Sequence, residues 1–155
     1  VERVATPVAV ALGSNLGDRR GHLEWAAERL STLLADVRLS AIHETTPQGV
    51  PGPQPPYLNA AAIGRTTLAP EALLEALLAL ESARGRTRPS RLAPRTLDLD
   101  LILYGRAVID TPTLTVPHPR FRERAFVLQP LAEIAPDWID PVTGRTVAAL
   151  ARSLR

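Results

Sequence analysis

The run Arg95-Thr96-Leu97-Asp98-Leu99-Asp100-Leu101-Ile102-Leu103 decides how this chain is read. Apolar residues dominate it, Pro94 precedes it and Gly105 follows it, the pattern of a β-strand. A period of two puts Asp98, Asp100 and Ile102 on one face and Leu97, Leu99, Leu101 and Leu103 on the other. Two neighbouring carboxylates on a half-exposed face repel each other and gain nothing as structure. They make sense around a divalent cation, although a solvated face whose acids pair with local arginines is the competing reading. Five arginines (Arg84, Arg86, Arg88, Arg91 and Arg95) lie just upstream. Anion-binding and metal-binding groups therefore arrive together, as phosphoryl transfer from a metal-bound nucleotide requires.

Working outward from that strand, the chain alternates apolar strands with amphipathic helices. Residues 1–7 read as a flexible lead and residues 8–12 as a strand that ends in the loop Gly13-Ser14-Asn15-Leu16-Gly17. Leu23, Ala26, Ala27, Leu30, Leu33 and Leu34 carry the helical period, which predicts a helix over 19–34. Residues 37–45 read as a second strand. Residues 46–56 hold five prolines and two glycines and form an irregular loop. Residues 57–66 read as a third strand, paired beside the second. Pro70 opens a second helix that ends near Arg84, and an arginine-rich loop leads back to the aspartate strand. Gly105-Arg106 is a tight turn, with 107–109 returning as a short hairpin strand. Pro117-His118-Pro119 is a stiff loop, 120–134 is partly helical, and 146–154 forms a last short helix. The order strand, helix, strand, strand, helix, strand predicts an α+β ferredoxin-like sandwich: an antiparallel sheet with helices on one face and a C-terminal extension.

Composition narrows the function classes. At 155 residues the expectation is a single catalytic domain, 1–155, working as a monomer. An apolar fraction of 45% excludes wholesale disorder. No apolar run reaches membrane-spanning length, and residues 8–12 are too short for a signal peptide core, so a cytoplasmic location and no membrane partner are expected. With no cysteine, any metal is held by oxygen or imidazole. All eighteen basic residues are arginine, but the net charge is only +2, which is weak support for nucleic acid.

Asp98 and Asp100 are hard oxygen ligands at i and i+2, suited to Mg²⁺, which keeps water and takes its remaining ligands from phosphates. The upstream arginines suit a phosphate clamp, since a guanidinium makes bidentate contacts with phosphoryl oxygens. An ordinary solvated loop, with Arg84 complementing a helix C-terminus, is the alternative. His118, between two prolines and followed by Arg120, Arg122 and Arg124, is either a turn cap or a phosphate contact. Tyr57 and Asn59 point the same way from one strand, a ring and an amide suited to a flat heterocycle or to ordinary core packing. Phe126 is core or a second stacking face. The Gly13–Gly17 loop is not a Walker A motif and is either an anion nest or a turn.

Ala11-Leu12-Gly13-Ser14-Asn15-Leu16-Gly17, Glu44-Thr45, Tyr57-Leu58-Asn59-Ala60, Pro94-Arg95-Thr96-Leu97-Asp98-Leu99-Asp100, Val116-Pro117-His118-Pro119-Arg120 and Glu123-Arg124-Ala125-Phe126-Val127-Leu128 occur in this order. With Glu133-Ile134-Ala135-Pro136 they make the chain resemble the 6-hydroxymethyl-7,8-dihydropterin pyrophosphokinase family over nearly its whole length. That resemblance implies transfer of the β,γ-pyrophosphoryl group of ATP to the pterin hydroxymethyl oxygen, with release of AMP. It implies two Mg²⁺ on Asp98 and Asp100, with ATP as co-substrate. Arg86 and Arg95 would bind the transferring phosphates, with Glu81, Arg88, His118 and Arg124 as further nucleotide or phosphate contacts. Asn59 would read the pterin edge, Tyr57 and Phe126 would hold its ring, and Thr45 and Gln48 would complete the pocket. Where many members carry an aromatic residue and glycine before the Pro-Arg pair, this chain has Leu92-Ala93. A ferredoxin-like RNA-binding module is the alternative from another class. It would want exposed aromatics on central strands, whereas aromatics make up only 4% of the chain and two aspartates would repel a phosphate backbone. A non-catalytic nucleotide-binding domain is the other alternative, but it should lack one of Asp98, Asp100, Arg95 and Asn59, and all four are present.

Overall fold

The computed structural model describes residues 5–45, 56–84 and 96–154. Strand β1 (Thr6–Ser14) leads into α1 (Arg19–Leu33), which starts where the Asp18 side chain accepts the Gly21 N–H at 3.1 Å. Strands β2 (Ala35–Leu39), β3 (His43–Thr45) and β4 (Tyr57–Thr66) follow, then α2 (Pro70–Ala83), opened by Pro70 as the sequence indicates. The aspartate run forms β5 (Asp98–Tyr104). Beyond it lie β6 (Ile109–Asp110), β7 (Thr115–Val116), a 3-10 turn at Phe121–Glu123, α3 (Ala125–Ile134) and α4 (Val147–Ser153).

The main sheet is antiparallel in the order β2-β4-β1-β5, with β3 also on β4. One face carries Val8, Val10, Leu12, Leu58, Ala62, Leu97, Leu99 and Leu101, packed with Leu23, Ala26 and Leu30 of α1 and Leu73 and Leu77 of α2. The opposite face carries Ala9, Ala11, Ala61, Ile63 and Ile102 under Val127, Leu128 and Leu131 of α3 and Leu150 of α4. The α+β sandwich is as expected, but the C-terminal extension covers part of the second face instead of leaving it open. Small residues on that face (three alanines in two central strands) let α3 approach the sheet closely. Among the described residues no helix is long and apolar enough to cross a membrane.

Four expectations are corrected. Thr6 and Pro7 belong to β1, as do Gly13 and Ser14, because β1 pairs residue for residue with β4 from Thr6↔Thr66 to Ser14↔Leu58. The single strand expected over 37–45 is two strands, whose register against β4 slips by one residue between Leu39↔Ala62 and His43↔Asn59. Leu103 does not share the face of Leu97, Leu99 and Leu101. The pairing jumps from Ala9↔Leu103 to Val10↔Leu101, so a bulge at Ile102 turns Leu103 onto the α3 side. Finally, residues 107–109 do not return along β5. The turn at Gly105, whose φ of 55° suits glycine, leads out to a separate hairpin in which Ile109 pairs with Val116.

Candidate active site

One row of the sheet runs His43↔Asn59↔Gly13↔Asp98 across β3, β4, β1 and β5. Directly paired residues project to one face, so Asn59 and Asp98 stand on the same side with Gly13 between them. The next row on that face is Ala61↔Ala11↔Asp100. Two interstrand spacings separate Asn59 from Asp98, about 10 Å. Gly13 contributes no side chain to this interval: a Cβ there would stand 3.3 Å from Asn59 Oδ1 and 3.7 Å from Tyr57 Cδ1. The Gly13–Gly17 segment is compatible in sequence with a turn or an anion nest; the register makes Gly13 the bare floor between an amide and a carboxylate pair.

Asn59 is buried, and its Nδ2 donates to Thr45 Oγ1 at 2.7 Å. In this orientation Oδ1 lies toward the Gly13 side. Tyr57 lies on the same face of β4 two residues earlier and pairs across from Thr45. Phe126 is in the first turn of α3, over that face of the sheet, and is 39% exposed. Arg124 sits just before it, with its guanidinium 5.5 Å from the Phe126 ring centre.

Asp98 and Asp100 are both half-buried, whereas Leu99 between them is fully packed. The buried Glu81 of α2 accepts the Leu99 N–H at 2.7 Å on the free side of this edge strand. Glu81 thus braces the backbone midway between the two aspartates, a role that neither spacing nor composition indicated. It also lines a cleft of about 390 Å³ with Leu74, Leu78, Asp98, Asp100, Thr115 and His118. This volume suits a small-molecule site.

His118 is tied to β5 by its N–H, which donates to Ile102 O at 2.9 Å, and its Nδ1 accepts the Arg120 N–H at 3.2 Å. With Nδ1 an acceptor, Nε2 of the neutral ring carries the hydrogen. Burial lowers its pKa, and the Arg124 and Arg120 charges lower it further against the opposing pull of Asp100. Arg84, the first of the arginine run, is engaged elsewhere. Its Nε donates to His22 Nδ1 at 2.8 Å and its guanidinium lies 5.1 Å from the Trp25 ring centre. Gln48, Arg86, Arg88, Arg95 and the Leu92-Ala93 pair lie outside the described residues.

Two carboxylates at i and i+2 on one face fit Mg²⁺. Among the described residues no group of three or more His, Cys, Asp or Glu side chains is arranged to hold a metal ion.

A family model described as 7,8-dihydro-6-hydroxymethylpterin-pyrophosphokinase matches residues 9–136. The chain belongs to this family. Among curated relatives, the 2-amino-4-hydroxy-6-hydroxymethyldihydropteridine pyrophosphokinase of Synechocystis sp. is 44% identical over 144 residues, which cover 91% of this chain and 72% of the relative. The protein of the same name from Pseudomonas aeruginosa is 46% identical over 132 residues, covering 84% and 81%. A solved HPPK-DHPS protein of Plasmodium falciparum with pteroate shares the fold at a TM-score of 0.77 and 13% identity. That match covers 99% of this chain but 43% of the other, so the chain spans less than half of that protein. As a pyrophosphokinase of this family, the chain carries out Mg²⁺-dependent transfer of a pyrophosphoryl group from ATP to 6-hydroxymethyl-7,8-dihydropterin in folate biosynthesis.

Proposed function

We propose how this chain's residues divide that reaction within one catalytic domain. Asp98 and Asp100 would hold two Mg²⁺, and the dihydropterin lies on the Gly13 floor with its polar edge on Asn59. Tyr57 and Phe126 hold the pterin ring, while Thr45 and Gln48 close that end of the slot. Arg86 and Arg95 bind the transferring phosphates, with Glu81, Arg88, His118 and Arg124 around the nucleotide. The observation that carries the reading is the Asn59↔Gly13↔Asp98 row with Asp100 on the same face. An interval of about 10 Å fits a flat bicyclic ring and its hydroxymethyl arm between an amide and a metal-holding pair.

The chain's own groups do most of the work by placement. Thr45 keeps the Asn59 amide oriented, so the pterin edge meets a fixed acceptor and donor rather than a free rotor. Glu81 keeps β5 from sliding at Leu99, which holds the aspartates in register with Gly13. His118 Nε2, at the cleft wall beside Asp100, donates to a phosphoryl oxygen. Bound Mg²⁺ would supply charge neutralisation on the phosphates. The acceptor hydroxyl then attacks the β-phosphorus in line; the bond from that phosphorus to the α,β-bridging oxygen breaks, AMP leaves with this oxygen, the hydroxyl proton passes to water, and no phosphoenzyme forms.

The residue assignment is tested by Mn²⁺ binding, followed by electron spin resonance in the presence of a non-hydrolysable ATP analogue. Wild type should bind two ions per chain, and Asp98→Asn and Asp100→Asn should each lose at least one while still binding dihydropterin. Unchanged stoichiometry in both variants would remove the aspartates from the metal site.

A further inference from the structure

Helix α3 crosses the second face of the sheet. It starts after the 118–124 segment, which is tied to β5 at Ile102, and its far end reaches the opposite edge at β3. The contact at that far end is made by Glu133, which is not among the residues assigned above. Its Oε1 accepts the Ala41 N–H at 3.0 Å and its Oε2 pairs with His43 Nε2. Ala41 lies at the junction where β2 breaks and the register slips, and His43 opens β3 directly opposite Asn59. Two residues on, β3 ends at Thr45, which holds the Asn59 amide.

Phe126 and Glu133 are seven residues apart, so they lie on the same flank of α3, about 10 Å apart along its axis. Since Glu133 on this flank reaches His43, and His43 is level with Asn59, the flank that carries Phe126 faces the Tyr57–Asn59 end of the sheet. Val127, Leu128 and Leu131 seat the helix on alanines, and apolar contact of that kind resists separation better than it resists sliding. The Glu133 carboxylate supplies the directional restraint.

We infer that Glu133, through His43 and the Ala41 N–H, is a positioning residue for the pterin slot: it locks the helix that carries Phe126 to the strand that carries Thr45, and so sets the gap in which the ring is held. The inference rests on the assignment of Asn59, Thr45, Tyr57 and Phe126 to the pterin. Without the clamp, α3 slides and β3 loosens at its register slip. The slot then loses shape at its β3 end, whereas the nucleotide cleft lies at the far, β5 edge of the sheet, where the 118–124 segment stays tied to Ile102.

The test compares Glu133→Ala, Glu133→Gln and His43→Phe with wild type by calorimetric binding of dihydropterin and of a non-hydrolysable ATP analogue, together with steady-state kinetics. Glu133→Ala should weaken dihydropterin binding about tenfold or more and raise its KM in proportion, while the affinity for the nucleotide analogue stays within about twofold. Glu133→Gln keeps an acceptor for Ala41 and a partner for His43, so it should recover most of the loss. His43→Phe keeps β3 filled but removes one of the two contacts, and should fall between them. It carries the test if Glu133→Ala does not fold. Dihydropterin affinity unchanged in the folded variants, or pterin and nucleotide affinities lost together, would overturn the clamp. Dihydropterin affinity unchanged in Asn59→Ala would instead overturn the slot assignment on which the clamp rests.

Discussion

Glu81 offers the sharpest quantitative test of how β5 is held. Its carboxyl group is 3% exposed and accepts the Leu99 N–H at 2.7 Å, a buried hydrogen bond to the backbone of an edge strand. Such a bond contributes about 0.5–1.5 kcal/mol, and leaving its partner N–H unsatisfied adds about 1–3 kcal/mol to the cost of losing it. Glu81→Ala should therefore lower stability by about 2 kcal/mol, a fall in Tm of roughly 4–8 °C for a chain of this size. Glu81→Gln keeps an acceptor oxygen for the Leu99 N–H and should lose about half as much. The brace sits between Asp98 and Asp100, so the same variants should shift the Mg²⁺ requirement of AMP release. A second-sphere partner of metal ligands typically costs 10–100-fold in metal affinity, which sets the scale for Glu81→Ala. Thermal unfolding followed by circular dichroism and a Mg²⁺ titration of initial rates measure the two effects independently. If Glu81→Ala melts with wild type and needs no more Mg²⁺, the backbone contact does not hold the aspartates.

Other expectations follow from individual contacts. Asp140 is fully buried and takes hydrogen bonds from Arg122, at 2.5 and 2.8 Å, and from Val142 N–H and Thr143 Oγ1. These partners overcome the cost of burial and hold its pKa at about 2 rather than 3.8. Its contribution of about 2 kcal/mol is present above pH 3.8 and is lost as pH falls from there to about 2. Urea denaturation of Asp140→Asn should show lower stability at pH 7 and a flatter pH dependence in that window. His22 has a lowered pKa, chiefly from burial and next from the Arg84 charge. The unfolded chain takes up a proton at this ring first, so stability should drop as pH falls below about 6.5, and His22→Gln should flatten that limb of a pH–stability curve. Gly13→Val places branched methyl groups where a Cβ already stands 3.3 Å from Asn59 Oδ1. Calorimetry should show dihydropterin binding reduced at least tenfold, with binding of an ATP analogue retained.

The elements legible in the sequence are those whose periodicity and ends agree. Strand β4 matches its reading at both ends because Tyr57 follows the proline-rich run and Thr66 precedes the turn into Pro70. Helix α2 starts at Pro70 as read, for the same local reason. What stayed illegible depends on partners distant in sequence. The split between β2 and β3 is capped by Glu133, 92 residues beyond Ala41. The turn of Leu103 onto the second face comes from a bulge against Ala9 and Val10, which alternation within β5 cannot signal. At the site, the i, i+2 aspartates and the shared face of Tyr57 and Asn59 follow from strand period alone. Gly13 between them, and Glu81 behind Leu99, become visible only through the pairing register and the packing of α2. A glycine before a serine and an asparagine looks like a turn, and only its alignment with Asn59 and Asp98 makes it a floor.

The most direct measurement follows the fate of label from ATP carrying ³²P in the β position, incubated with Mg²⁺ and the protein, with and without 6-hydroxymethyl-7,8-dihydropterin, in wild type and in Asp98→Ala. Label should pass into a pyrophosphorylated pterin, with unlabelled AMP released in equal amount, only when the dihydropterin is present, and the transfer should vanish in Asp98→Ala. Label retained in ADP, or transfer that survives the loss of Asp98, would contradict pyrophosphoryl transfer at the Asp98–Asp100 pair.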